Sequence, residues 1–197
     1  MVVSFLDLPN NFSIAIVDNF YSETELKEIK DELKLLSAVA ELKVFVNKAA
    51  KDEEDNSKQK SNSFFLDDLY SNKRDLSKVL NANRKLFSEE LRTKLIEKNL
   101  FYDHIFNVNL DTTLLNFYKP TDYYKPHKDN SCFTALTFFT LEEFYGGDLV
   151  FPEYNIKVGA VENRMVIFPG FVVHGSEDVT KGIRVSMAQF LNYRAGD

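Results

Sequence analysis

The chain has 197 residues, a length that suits one domain and is too short for two full enzyme domains. Acidic residues outnumber basic ones by 30 to 24, and the net charge of −6 gives no electrostatic basis for binding nucleic acid or an anionic membrane. Hydrophobic residues make up 44% of the sequence, which excludes disorder as the dominant state, and no apolar stretch is long enough to cross a bilayer.

The N-terminus and the cysteine content indicate the compartment. The first nine residues lack the basic flank and the continuous apolar run of a signal peptide. Cys132 is the only cysteine, so an internal disulfide is excluded. We therefore expect a reducing, cytoplasmic setting.

The N-terminal half is predicted to contain two short strands and three helices. Residues 12–18 form a β-type run, and Ser22 with Glu25 forms a capping box that opens the first helix. Side-chain character alternates over residues 42–46, which predicts a strand. Apolar residues at helical spacing between residues 73 and 99 predict two further helices, the second with a candidate N-cap at Ser88.

Residues 51–62 (KDEEDNSKQKSN) contain no apolar side chain. Because such a stretch cannot offset its ordering entropy by burial, we predict a mobile loop there. The pattern leaves open whether this loop closes over a substrate or is a solvated insert.

The second half is rich in short strands separated by turns. All seven glycines lie after residue 145. Because the predicted helices precede most of the predicted strands along the chain, we predict an α+β fold. Its helices would pack on one face of a mainly antiparallel double sheet. The predicted strands are residues 112–118, 132–139, 148–151, 164–168 and 183–191.

Three histidines are available, and two of them lie in the β-rich half. One residue separates His127 from Asp129, so in extended backbone both side chains project from the same face. Alone, this pair is equally compatible with a surface turn closed by a hydrogen bond. His104 lies among aromatic residues without an acidic partner at metal-ligand spacing, and we predict a structural role for it.

His174 adds a third candidate ligand. It follows an apolar strand that ends in Phe168-Pro-Gly, a position from which an imidazole can face a cleft. Two imidazoles and one carboxylate form the facial triad of non-haem Fe(II) oxygenases, which leaves coordination positions open. Zinc accepts the same types of ligand and remains the alternative.

Arg184 lies within an apolar strand, where a guanidinium is costly to bury unless it meets an anion. Residues 182–192 contain no acidic side chain, so the anion must come from elsewhere in the fold or from a ligand. Ser186 shares the strand face of Arg184 and could offer a hydroxyl to the same anion. A structural salt bridge is the alternative reading.

The order of these motifs resembles that of the Fe(II)- and 2-oxoglutarate-dependent oxygenases, in particular the prolyl 4-hydroxylase-like branch. The resemblance covers about residues 112–193. The motifs are NFY at 116–118, HKD at 127–129, GGDLVFPE at 146–153, FPG at 168–170, HG at 174–175 and GIR at 182–184.

The resemblance implies a single oxygenase domain. Its core, about residues 111–193, would be a double-stranded β-helix, or jelly roll, supported by a helix-rich segment at residues 1–110. His127, Asp129 and His174 would hold Fe(II), and Arg184 would bind the distal carboxylate of 2-oxoglutarate.

The same resemblance suggests roles for four further residues. Tyr118 matches a tyrosine that binds the co-substrate, and Thr137 matches a position that assists the basic residue, although these two could equally be a core aromatic and a strand filler. Tyr124 and Phe190 are candidates for the substrate pocket. Phe190 stands near a position where some relatives carry a tryptophan, which this chain lacks.

The implied reaction uses O2 and 2-oxoglutarate to hydroxylate a C–H bond, releasing succinate and CO2, with ascorbate as a candidate reductant. The carboxylate of Asp129 disfavours halogenation, because related halogenases lack it. A prolyl residue of a peptide or protein is the substrate we expect. The alternatives are a free amino acid or other small metabolite, dealkylation of a nucleic acid, and a non-catalytic cupin-like binding module.

Overall fold

The computed structural model describes residues 1–41 and 59–194. The predicted strand at residues 42–46 lies outside the described residues. In chain order the elements are β1 (Val2–Asp7), β2 (Ser13–Asp18), α1 (Glu23–Glu41), β3 (Gln59–Lys60), β4 (Asn62–Phe65), α2 (Leu66–Tyr70), α3 (Lys78–Asn83), α4 (Glu89–Lys98), β5 (Leu110–Tyr118), β6 (Tyr123–His127), β7 (Phe133–Thr140), β8 (Tyr145–Gly146), β9 (Leu149–Phe151), β10 (Ile156–Val158), β11 (Met165–Pro169), β12 (His174–Ser176), β13 (Val179–Lys181) and β14 (Arg184–Asn192).

Local signals in the sequence place the helix starts correctly. The backbone N–H of Ser22 donates to Glu25 Oε2 at 2.7 Å, and the N–H of Glu25 donates to Ser22 Oγ at 3.3 Å, which completes the predicted capping box. Ser88 accepts from the N–H of Leu91, as expected of the N-cap of α4. None of the helices in the described part of the chain is long and apolar enough to span a bilayer.

The strands form two main sheets, and all neighbouring strands are antiparallel. The larger sheet has seven strands in the order β1-β2-β11-β7-β14-β5-β4, and the smaller has five in the order β10-β9-β12-β6-β3. The two sheets face each other, as predicted for a jelly roll. The short strands β6 and β12 are absent from the sequence-based prediction, although they carry the predicted histidines.

The prediction of a loop at residues 51–62 is wrong for its C-terminal part, while residues 51–58 lie outside the described residues. β3 pairs with β6, and β4 pairs with β5. Backbone pairing therefore orders a segment that has no apolar side chain to bury. Gln59 is buried and donates its amide N–H to Asn116 and Ser61.

Two cores lie on opposite faces of the larger sheet. One core packs the helices against the outer face, with Ile29, Leu33 and Leu95 fully buried. The other fills the space between the sheets around Phe151 and Phe168. The alternation of side chains along a strand assigns each residue of the larger sheet to one of these faces.

Candidate functional site

The pairing of β6 with β12 brings two imidazoles together. His127 and His174 are direct partners in this antiparallel pair, and their ring centroids are 4.4 Å apart. Asp129 follows β6 by two residues and turns back toward both rings. Its Oδ1 lies 3.5 Å from His127 Nε2, and its Oδ2 lies 3.4 Å from His174 Nε2.

These three side chains offer one metal-ligating atom each, and the three atoms lie within 4.8 Å of one another. The structure thus assembles the predicted triad. His174 is 5% exposed, and the side chains of His127 and Asp129 are each 9% exposed, so the cluster is largely shielded from solvent.

Hydrogen bonds fix the tautomer of both histidines. His127 Nδ1 lies 2.9 Å from the carbonyl of Lys125, and His174 Nδ1 lies 3.0 Å from the carbonyl of Val172. Because a carbonyl oxygen can only accept, each Nδ1 carries a proton, which leaves each Nε2 as the ring atom that can bind a metal ion.

The electrostatics of the triad also suit a cation. Burial lowers the pKa of His174, which favours the neutral imidazole. Burial alone would raise the pKa of Asp129, but the neighbouring His127, His174 and Thr134 bring it below its usual value, which favours the ionised carboxylate. A carboxylate and two imidazole Nε2 atoms that converge in this way fit a bound divalent metal ion.

The loop that carries Asp129 is fixed against β11. The N–H of Asp129 donates to the carbonyl of Gly170 at 2.9 Å, and the N–H of Gly170 donates to the carbonyl of Cys132 at 3.1 Å. A Cβ at position 170 would lie 2.1 Å from the carbonyl oxygen of Ser131. Only glycine permits this close approach, so Gly170 determines where Asp129 lies.

Arg184 lies on β14 with 2% of its surface exposed. Its guanidinium donates to the carbonyl of Gly147 and to Ser176 Oγ, the latter at 2.6 Å, and lies 4.0 Å from the centroid of the Tyr118 ring. Gly147 has φ +74°, and a Cβ there would lie 3.0 Å from Arg184 Cδ. The glycine therefore allows the backbone to approach the guanidinium.

The charge of Arg184 has no anionic partner within residues 1–41 and 59–194, where no carboxylate reaches salt-bridge distance. Its Nε is buried without a hydrogen-bond acceptor. Burial lowers the pKa of Arg184, an effect that Tyr118 and the charge of Asp148 oppose only in part. The structural salt bridge considered above is thus absent there, and an anionic ligand fits the position.

One cavity joins the triad to Arg184. Alternate residues of β14, namely Arg184, Ser186, Ala188 and Phe190, face it. β5 contributes Leu114, Asn116 and Tyr118 in matching register. Burial raises the pKa of Tyr118, an effect opposed by Arg184 and by hydrogen bonding with Ser186 and Gln59, so its phenol is a neutral donor. The structure therefore brings together Tyr118, Ser186, Arg184 and the triad.

The two residues predicted to contact substrate border a groove next to the triad. The ring of Tyr124 stacks on His127, with centroids 3.7 Å apart and planes 13° from parallel. Phe190 lies across the groove and contacts Phe65 at a centroid distance of 6.2 Å.

Thr137 requires a correction. Thr134 and Leu136 face the cavity from β7, so Thr137 lies on the opposite face of the strand. Its hydroxyl lies on the helix side of the sheet, near Tyr21. The structure does not bring Thr137 to Arg184. His104, predicted to be structural, packs edge-on against Phe101 and lies 3.3 Å from the hydroxyl of Tyr193.

Sequence reasoning missed several residues of the site. Ser176 could have been found, because it lies two residues after His174 on the same strand and so projects to the same side. Thr134, whose hydroxyl donates to Asp129 Oδ2, lies only five residues beyond its partner. Gln59 gave no signal, since its burial depends on pairing between distant segments.

Comparison with known proteins agrees with this geometry. Residues 113–192 match a family model described as the 2OG-Fe(II) oxygenase superfamily. No curated protein sequence matches the chain.

Solved structures share the fold at low sequence identity. A viral collagen prolyl hydroxylase from Paramecium bursaria Chlorella virus-1, in a 2OG complex, is 16% identical with a TM-score of 0.56, over 92% of this chain and 96% of that one. A prolyl hydroxylase from Trichoplax adhaerens, in complex with a hypoxia inducible factor peptide fragment, is 16% identical with a TM-score of 0.61, over 91% and 83%. NgTET1 in complex with 5mC DNA is 16% identical with a TM-score of 0.57, over 92% and 72%.

The close approach at Gly170 can be tested by Gly170→Ala. The added methyl must displace the backbone of Ser131 and with it Asp129, so we expect a loss of about 1–3 kcal/mol in the free energy of unfolding and weaker binding of Mn(II). Thermal unfolding and metal titration measure the two effects. Gly159→Ala is the matched control, because a Cβ there meets its nearest atom at 3.7 Å. Equal behaviour of the two variants would contradict this account.

Proposed function

We propose that the protein is a 2OG-Fe(II) dioxygenase that hydroxylates a prolyl residue of a peptide or protein. The family model that matches residues 113–192 and the fold shared with prolyl hydroxylases of known structure support this proposal. One observation carries the proposal. Two imidazole nitrogens and a carboxylate converge in the same cavity as a buried guanidinium that has no carboxylate partner in the described part of the chain.

His127, Asp129 and His174 would hold Fe(II) through two Nε2 atoms and a carboxylate oxygen. Three protein ligands leave coordination positions for the co-substrate and for dioxygen. When bound, the iron supplies the oxidation chemistry that converts 2-oxoglutarate and O2 to succinate and CO2 while a C–H bond is hydroxylated. The protein orients the ligands through the Nδ1 hydrogen bonds and shields them from bulk water.

Arg184 would bind the distal carboxylate of 2-oxoglutarate. The hydroxyls of Tyr118 and Ser186 are further donors on the same wall of the cavity. Because the site is buried, charge-assisted hydrogen bonds are stronger there than in water. The carboxylate would supply the counter-charge that Arg184 lacks, which favours a dicarboxylate over an acid with a single carboxylate.

The groove beside the metal ligands supports a prolyl substrate. Its walls carry the aromatic rings of Phe65, Tyr124 and Phe190, which suit an apolar, uncharged ring. Thr112, Asn130 and Asn192 add neutral polar groups, as a peptide backbone requires. The net charge of −6 opposes a nucleic acid substrate. The cytoplasmic setting stays a prediction.

Asp129→Ala tests the metal centre. Removal of one ligand should reduce formation of succinate to background in an assay with Fe(II), ascorbate, O2, 2-oxoglutarate and substrate. Asp31→Ala is the control, since Asp31 lies on the exposed surface of α1, where it pairs with Lys27 and Lys34. Activity retained by Asp129→Ala would refute the triad, and an inactive wild type would favour a non-catalytic binding module.

Arg184→Ala tests the co-substrate site. Loss of charge-assisted hydrogen bonds worth about 1.5–3 kcal/mol should raise the KM for 2-oxoglutarate roughly 10–100-fold. Binding of Mn(II) should change little, because Arg184 is not a ligand. The partly exposed Arg92, paired with Asp103, provides the control Arg92→Ala. An unchanged KM for 2-oxoglutarate would indicate that Arg184 has a structural role instead.

The substrate class can be tested directly. We expect a gain of one oxygen on prolyl residues when the active enzyme meets a peptide library, and this gain should require 2-oxoglutarate. Mass spectrometry measures it. Parallel reactions with metabolite extracts and with methylated DNA test the two alternative substrates. Oxidation confined to either of those would overturn the prolyl assignment while leaving the reaction class intact.

A further inference from the structure

Thr134 is a buried polar residue that the proposed reaction does not use. It is 1% exposed on β7, and its strand face is the one that lines the cavity. Its hydroxyl donates to Asp129 Oδ2. Ser131 Oγ lies 3.1 Å from the same Thr134 oxygen.

The donors and acceptors in this chain of contacts can be assigned. An ionised carboxylate only accepts, so the single proton of Thr134 goes to Asp129. Ser131 must then donate its own proton to Thr134 Oγ1. The result is a relay from Ser131 through Thr134 to Asp129, in which each hydroxyl is oriented by its neighbour.

This relay favours one orientation of the Asp129 carboxylate plane over the others. The backbone N–H bond to Gly170 fixes where the residue lies but allows the carboxylate plane to turn. The bond from Thr134 removes that freedom. We propose that Thr134 is a positioning residue that holds the Asp129 carboxylate with Oδ1 toward His127 and Oδ2 toward His174. The inference rests on the proposed metal centre.

Thr134→Val tests the role, since valine keeps the shape and removes the hydroxyl. We expect the affinity for Mn(II), a redox-inert probe, to fall about 10–100-fold, as is typical when a hydrogen bond to a metal ligand is lost. Titration calorimetry with the full chain measures it, without co-substrate or turnover. Thr134→Ser keeps the donor and should bind Mn(II) close to the wild type.

Thr137→Val is the matched control, because it makes the same change on the opposite face of the same strand. The unfolding temperature of each metal-free variant reports on folding. Ser131→Ala removes the first donor of the relay and should weaken Mn(II) binding less than Thr134→Val does. If Thr134→Val does not fold, Ser131→Ala provides the test in its place.

Two results would overturn the inference. In the first, Thr134→Val folds and binds Mn(II) as the wild type does. This result would show that Thr134 does not position Asp129, and it would not affect the proposed function. The other is Thr134→Ser as weak as Thr134→Val, which assigns the effect to packing. A wild type that binds no Mn(II) would refute the metal centre itself and the proposed function with it.

Discussion

The antiparallel pairing of β6 with β12 is the constraint on which the site depends. It places His127 directly opposite His174, and the chain then needs only two more residues to bring Asp129 back to both rings. Lys125 in β6 and Val172, two residues before His174, provide the carbonyl groups that hold the Nδ1 protons. Local backbone geometry thus determines both the positions of the ligands and which ring nitrogen is left to bind a metal ion.

Electrostatics connects the two ends of the cavity. The triad presents a carboxylate with a lowered pKa and two imidazole Nε2 atoms, while Arg184 presents a positive charge with its Nε unpaired. Burial makes each charge costly alone. A metal ion at one end and a carboxylate at the other would offset both costs. The fold therefore favours binding of both ligands, because each would relieve the electrostatic cost of an unpaired buried charge.

Much of the site could be predicted from the sequence because strand alternation is local. The separation of Arg184 from Ser186 by one residue places both on one face of β14. Asp129 lies beyond the end of β6, so the short spacing from His127 predicts its proximity but not the turn that brings it back to both rings. The same rule explains the error at Thr137, since Thr134 faces the cavity and an offset of three residues reverses the face. Gln59, β3 and the contact of Gly170 with Ser131 depend on pairing between distant segments, which no local pattern reveals.

The groove beside the triad combines residues next to the proposed metal ligands with aromatic side chains from distant elements. Phe65 ends β4, which precedes the core motifs, whereas Phe190 lies on β14 beyond Arg184. Neither side chain is required to hold iron or a dicarboxylate, so their identity can change without cost to the metal centre. Motifs that define the chemistry therefore constrain the substrate weakly. Under the proposed function, the aromatic pair formed by Phe65 and Phe190, together with Tyr124 stacked on His127, is where specificity for an apolar ring would be determined.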